Sequence, residues 1–205
     1  MPTPVRGLSQ PERVEVSARR LLQAAAQLIV EKGWEATTAA EIGRRAGYSR
    51  TMVHSRYGGK DAILDAFLHE YVSRLDPGPQ PDTLGLQQVL AHFDRICDLH
   101  TADPELLRAM FVATFEAVKT TSPLRERVHA QLRNAATQVE AGLRAGIHDG
   151  SIRHDIDVRA AVDDITSAVF GAGFQWVVAT DDHDLEQEIG AVRDRVIRDY
   201  ARPAQ

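Results

Sequence analysis

Apolar residues first fall into step at Leu21, Leu22, Ala25, Leu28 and Ile29. They stand at i, i+1, i+4, i+7 and i+8, one face of a 3.6-residue period. A helix is therefore predicted from about Val14, with Gly33 as its C-terminal stop. Thr38 and Glu41 have the Ser/Thr-x-x-Glu spacing of a capping box, so a second helix starts at Thr38 and ends two turns later at Gly47. Ser49 is an N-cap for a third, "RTMVHSRY", which Gly58 and Gly59 close. Lys60 and Asp61 open a fourth, with Ile63, Leu64, Phe67, Leu68 and Tyr71 on one side. "DPGPQPD" (76–82) then interrupts the chain with three prolines and a glycine.

Helical spacing resumes with Leu86, Leu90, Phe93 and Cys97. Asp103-Pro104 pairs an N-cap with proline at the first helical position. Ser122-Pro123 repeats the device ahead of a long run to about Asp149. "GSIRHDID" reads as a loop. Asp157 can cap a helix from about Val158 to Ala179, and Asp182 or Asp184 a last one to about Ala201. No strand alternation of useful length is present. The pattern predicts an all-α protein of about nine helices.

Composition adds limits. The chain has 205 residues, 43% of them apolar, enough for a sizeable core. No apolar run approaches 18 residues, so no membrane span is expected. The first twenty residues lack an apolar signal core, and one cysteine, Cys97, leaves no internal disulfide. A cytoplasmic location follows as an expectation. The net charge of −5 is unevenly spread: residues 1–60 carry ten Lys/Arg against five Asp/Glu, and residues 61–205 carry 14 against 24. A basic N-terminal part on an acidic body suggests that one end meets a polyanion.

The second and third predicted helices are short and joined by a glycine-containing turn, the arrangement of a helix-turn-helix. Ile42 and Ala46 can pack inward from the supporting helix, and Met52 and Val53 can hold the recognition helix down. Arg50, Thr51, His54 and Ser55 are then left to face out. Arginine can pair bidentately with guanine, and threonine can meet thymine. Thr38, Ser49 and Lys60 sit at helix N-termini, where backbone N–H groups favour phosphate. Arg45, Tyr48 and Tyr57 complete the expected DNA-facing set.

Residues 17–71 resemble the DNA-binding domain of the tetracycline-repressor (TetR) family of bacterial regulators. The resemblance is carried by Gly33-Trp34, Thr37-Thr38, Ile42-Gly43, Ala46-Gly47-Tyr48-Ser49, Tyr57 and Lys60-Asp61-Ala62-Ile63. It departs at His54, where the family often has tyrosine, at Arg56, where histidine is common, and at Thr51, where a small residue is usual. The first dozen residues hold three prolines and little apolar content and are read as a mobile arm (1–13). The resemblance implies a helix-turn-helix DNA-binding domain (14–76) and a helical ligand-binding and dimerisation domain (77–205). It also implies a homodimer that binds a palindromic operator in double-stranded DNA and is released from it by a small-molecule effector.

In the last helix Leu185, Ile189, Val192, Val196 and Tyr200 form one apolar stripe. With Ile165 and Val169 of the preceding helix, they are the expected subunit interface. The expected ligand pocket comprises Phe93, Cys97, Met110, Phe111, Thr114, Phe115, Phe170, Phe174 and Trp176, with His100, Arg108 and Gln175 as possible polar anchors. An aromatic stripe at helical spacing also suits plain core. His148, Asp149, His154 and Asp155 tempt a metal reading, but the resemblance implies that such a loop only joins two helices, so neither metal nor cofactor is expected. No phosphate-binding glycine loop, zinc-protease helix or nucleophile elbow is present, and no enzyme is expected. The rival reading is a helical ligand-binding or scaffold protein that does not bind DNA.

Overall fold

Helix α1 (Gln10–Ala36) starts before its apolar period does. The cause is local: the backbone N–H and the hydroxyl of Ser9 both donate to Glu12 Oε2 at 2.7 Å, and Pro11 sits in the first turn, where its missing N–H costs nothing. Residues 10–13 are thus helix, not arm. The computed structural model describes residues 9–78, 82–119 and 121–203, so the rest of the expected arm lies outside the described residues. Gly33 (φ 79, ψ 165) breaks the helical path near the end of α1, as its sequence position predicts.

The remaining helices are α2 (Ala39–Arg45), α3 (Arg50–Tyr57), α4 (Lys60–Leu75), α5 (Gly85–Ala102), α6 (Pro104–Glu116), α7 (Arg125–Asp149), α8 (Val158–Val178) and α9 (Leu185–Tyr200). Nine helices and no named strand are present among the described residues. Four of the predicted caps are in place, but α7 starts at Arg125 behind Leu124 rather than at the expected Ser122-Pro123. Thr38 Oγ1 accepts from Glu41 N–H at 3.3 Å while Glu41 Oε2 accepts from Thr38 N–H at 3.0 Å. Ser49, Asp157 and Asp184 cap α3, α8 and α9 through their side chains.

The chain forms two compact units, Met1–Ser73 with Glu105–Ser122, and Arg74–Pro104 with Pro123–Gln205. A single break at 76/77 would have kept α6 with the C-terminal helices; instead α6 clusters with α1–α4. In the first unit Leu21, Ile29, Trp34, Ile42, Val53, Ile63, Leu64, Phe67 and Leu107 are fully buried.

In the second unit α5 and α7 cross at glycines. A Cβ on Gly85 would lie 1.9 Å from Gly146 N, and one on Gly142 would meet Val89 Cγ2 at 2.9 Å. The loop after α7 is more than a connector. Asp149 Oδ2 accepts from Gly85 N–H at 2.6 Å and Ser151 Oγ from Leu86 N–H at 3.1 Å, so the loop caps the start of α5. Ile152 forms an isolated antiparallel bridge with Ala201. Asp155 faces Arg153 at 3.2 Å. No group of three or more metal-ligating side chains is placed to hold an ion among the described residues.

Helix α9 packs on α5 and α8 within one chain. Leu185, Ile189, Val192, Val196 and Ile165 are already buried within one chain. Tyr200 is partly exposed and donates its hydroxyl to Asp164 Oδ2 at 3.1 Å. Burial, and then that hydrogen bond, push the phenol up to about 12. Val169 is half-buried.

Candidate nucleic-acid interface

Helices α2 and α3 meet at Gly43, where a Cβ would lie 2.9 Å from Val53 Cγ2 and 3.2 Å from Tyr48 O. Only a residue without a side chain permits this approach. Gly47 (φ 79) turns the chain between the two helices, and Tyr48 N–H donates back to Gly43 O at 2.7 Å. Ile42 and Val53 are fully buried, so the inward face of α3 is fixed. Met52 and Ala46 are half-buried.

With Val53 inward, Arg50, Thr51, His54 and Ser55 are all exposed. They stand at i, i+1, i+4 and i+5 and share one face. The side chains of Arg50 and His54 show no hydrogen bond or ion pair among the described residues, while Ser55 Oγ donates to Met52 O at 3.0 Å. Ser49 is exposed, but its hydroxyl is occupied in accepting from Met52 N–H at 3.2 Å. Tyr48 and Tyr57 are half-buried, and burial pushes the Tyr57 phenol up.

Two cations of the expected DNA-facing set make contacts within the chain. Arg45 makes a two-pronged ion pair with Glu31, Nη1–Oε1 at 2.6 Å and Nη2–Oε2 at 2.7 Å. That bond holds the Glu31 carboxyl below its ordinary value. Lys60 Nζ donates to Trp34 O at 2.6 Å and Glu35 O at 3.3 Å, and lies 4.6 Å from the centre of the Trp34 ring. Burial lowers its ammonium pKa. Arg44, absent from the expected set, is exposed and makes no ion pair among the described residues.

Two further residues escaped the sequence reading. Lys32 pairs with Glu41 at 2.6 Å; this and the Thr38 hydrogen bonds take the Glu41 carboxyl down to about 2. Glu116, the last residue of α6, accepts from Trp34 N–H at 2.6 Å and from Glu35 N–H at 2.9 Å. An 80-residue separation leaves no periodic signal for such a contact. The Gly33-Trp34 pair at the end of a helix is the only hint in the sequence.

The expected pocket residues fall in both units. On α6, Met110 and Phe111 are buried, Phe111 stacks on Phe115 with centroids 6.0 Å apart, and Thr114 Oγ1 donates to Met110 Sδ at 3.4 Å. In the second unit Phe93 and Trp176 are buried, Cys97 and Phe170 are half-buried, and His100 meets Trp176 edge-on at 5.2 Å. Phe174 is 51% exposed.

A short supporting helix, a glycine-tight turn and a second helix with one polar face outward define a helix-turn-helix DNA-binding protein. The family described as "Bacterial regulatory proteins, tetR family" matches residues 21–67. The uncharacterised HTH-type transcriptional regulator YdeS of Bacillus subtilis (strain 168) is 28% identical over 161 residues, 77% of this chain and 78% of that protein. The fold is similar to that of SmeT, the repressor of a Stenotrophomonas maltophilia multidrug efflux pump, in complex with triclosan. There the TM-score is 0.77 at 22% identity, over 92% of this chain and 93% of that one. It is also similar to FadR of Bacillus subtilis in complex with stearoyl-CoA, with TM-score 0.71 at 20% identity, over 87% and 97%. By the family match over residues 21–67 and by these relatives, the chain is similar to tetR-family transcriptional regulators. No described helix is long and apolar enough to cross a membrane.

Proposed function

We propose that the protein is a ligand-released repressor that binds a palindromic operator as a homodimer. The observation that carries this reading is the exposed face of Arg50, Thr51, His54 and Ser55 on a helix whose opposite side is locked by Val53. In this reading α3 enters the major groove, Arg50 and Thr51 meet base edges, and Arg44 and the α2–α4 surface meet phosphate. The repressor sense is supported by SmeT.

The proposed subunit interface is the outward side of α8 and α9. Gly171, Phe174 and Val178 step by 3 and 4 along one face of α8. Phe174 and Val178 are 51% and 66% exposed, and space is open at Gly171 and at Gly190 of α9. A second copy would bury this face.

The proposed effector is apolar or aromatic and binds in the second unit near Phe93, Cys97 and Trp176. The chemistry of triclosan and of the stearoyl chain in the relatives supports this class. Effector and operator then weaken one another by the same factor.

The test has two parts. Wild-type protein is used to select duplexes from a random library, and recovered sequences are checked by gel shift for a two-fold-symmetric site. Triclosan and stearoyl-CoA are then titrated into the Trp34→Phe protein, which leaves Trp176 as the only tryptophan, with and without the selected duplex. Failure to enrich any sequence would leave the rival scaffold reading standing.

A further inference from the structure

The turn between α1 and α2 is held from both sides by opposite charges. On its N–H side the Glu116 carboxylate takes Trp34 N–H with Oε2 at 2.6 Å and Glu35 N–H with Oε1 at 2.9 Å. On its C=O side the Lys60 ammonium gives to Trp34 O at 2.6 Å and Glu35 O at 3.3 Å. The backbone N–H and C=O groups of the same two residues are thus held by one anion and one cation. Lys119 lies 3.5 Å from the Glu35 carboxylate. The turn is built to admit the carboxylate: Gly33 has φ 79, and a Cβ there would come within 3.1–3.3 Å of the Glu116 carboxylate.

The position of this turn matters because α2 begins three residues after Glu35, at Thr38 and Ala39. Trp34 is fully buried. Charge-assisted hydrogen bonds are short, strong and directional. A bidentate one onto successive N–H groups fixes both the place and the tilt of the segment that leads into the helix-turn-helix.

We infer that Glu116 is a positioning residue for operator recognition, setting the orientation of α2 and α3 through the Trp34 and Glu35 amides. This rests on the DNA-binding reading above. Glu116 touches no DNA in this role. Helix α6 is also the segment by which the chain returns from the second unit, so its last residue is where displacement of α6 would reach the reading head.

The sign of the effect separates positioning from plain electrostatics. If Glu116 mattered only as a negative charge near DNA, its removal would tighten binding to every duplex. As a positioning residue, its removal weakens the specific complex alone. Glu116→Gln keeps shape and one acceptor oxygen; Glu116→Asp keeps the charge but is too short to span both amides.

The experiment measures both variants and wild type against the duplex selected by wild-type protein and against a scrambled duplex, at several salt concentrations. Hydrogen exchange is followed at the Trp34 and Glu35 amides. Expected are a loss of roughly tenfold or more on the selected duplex for both variants, the scale of one charge-assisted hydrogen bond. Scrambled-duplex affinity and salt slope stay as in wild type, and the two amides exchange faster. Selected-duplex affinity equal to or above wild type in both variants would overturn the inference while leaving DNA binding intact. So would parallel losses on both duplexes. A wild-type protein that selects no sequence would remove the DNA-binding reading and this inference with it.

Discussion

Gly85 and Gly146 bring α5 and α7 into backbone contact: a Cβ on Gly85 would sit 1.9 Å from Gly146 N. The obstacle is main chain, which cannot rotate away as a side chain can. A Cβ on Gly146 instead meets Ile152 Cδ1 at 2.5 Å, the flexible end of a side chain. Gly85→Ala should therefore destabilise the protein by about 1–3 kcal/mol, and by clearly more than Gly146→Ala. Urea unfolding of the two variants checks the order; equal midpoints would refute it.

The Glu31–Arg45 pair keeps a cation from the expected DNA-facing side. Both side chains are well exposed, so solvent screening leaves the pair little weight in stability. Glu31→Ala should leave melting nearly unchanged and free Arg45 for phosphate. Affinity for any duplex should rise, and the slope of log affinity against log salt should steepen by about one. Fluorescence anisotropy at several salt concentrations reads this, and an unchanged slope means that Arg45 stays away from DNA.

Arg50 and Lys60 should fail in different assays. Arg50 is exposed, so Arg50→Ala should cost roughly 1–3 kcal/mol on the selected operator and relax one base position, with melting unaltered. Lys60 satisfies two carbonyls, so Lys60→Ala should cost about 1–2 kcal/mol of folding stability. Loss of stability for Arg50→Ala, or none for Lys60→Ala, contradicts this division of roles.

Two faces of the C-terminal helices should respond differently to charge. Phe174→Glu with Val178→Glu places carboxylates on an exposed face, and should abolish the proposed dimer while each chain keeps its helicity. Val192→Glu places one in the interior of a single chain, which costs several kcal/mol unless the group neutralises, and should unfold the subunit. Sedimentation and circular dichroism on both variants settle the matter. A folded monomer from Val192→Glu would restore the α9 stripe as the interface.

Glu41 makes a pH-dependent contribution. Its carboxyl is lowered from its ordinary value of 4.5 to about 2 by Lys32 and Thr38. A lowered folded-state pKa stabilises above the unfolded value and is lost as pH falls through the folded one. The contribution is therefore whole above about pH 4.5 and disappears toward pH 2. In urea titrations across that window, Glu41→Gln should flatten the decline seen in wild type. Parallel declines in the two proteins would assign it to other carboxylates.

Much of this architecture is local and could be read directly. Thr38 with Glu41, Ser49 with Met52, Asp157 with Arg159 and Ala160, and Asp184 with Glu186 and Gln187 all interact within three residues. Such caps act on the backbone beside them, whatever the rest of the chain does. The exposed face of α3 was equally legible, because burying Val53 in an eight-residue helix leaves residues 50, 51, 54 and 55 no other direction. The Ser9–Glu12 box is equally local, but it precedes the apolar period and so lies outside the pattern that marks the helix.

Destination was decided only by the tertiary structure. The stripe from Leu185 to Val196 announces that one side of α9 is covered; apolar burial has no direction, so the pattern is the same whether α5 and α8 cover it or a second subunit does. Lys60 and Arg45 read as free cations until Trp34 O and the Glu31 carboxylate are placed beside them, since a charge's partner depends on geometry and not on its neighbours in sequence. The Glu116 carboxylate meets the Trp34 amide across 82 positions, and Gly85 meets Gly146 across 61. Nothing in a local pattern encodes which distant backbone a carboxylate or a glycine will face, because that is chosen by the packing of whole helices.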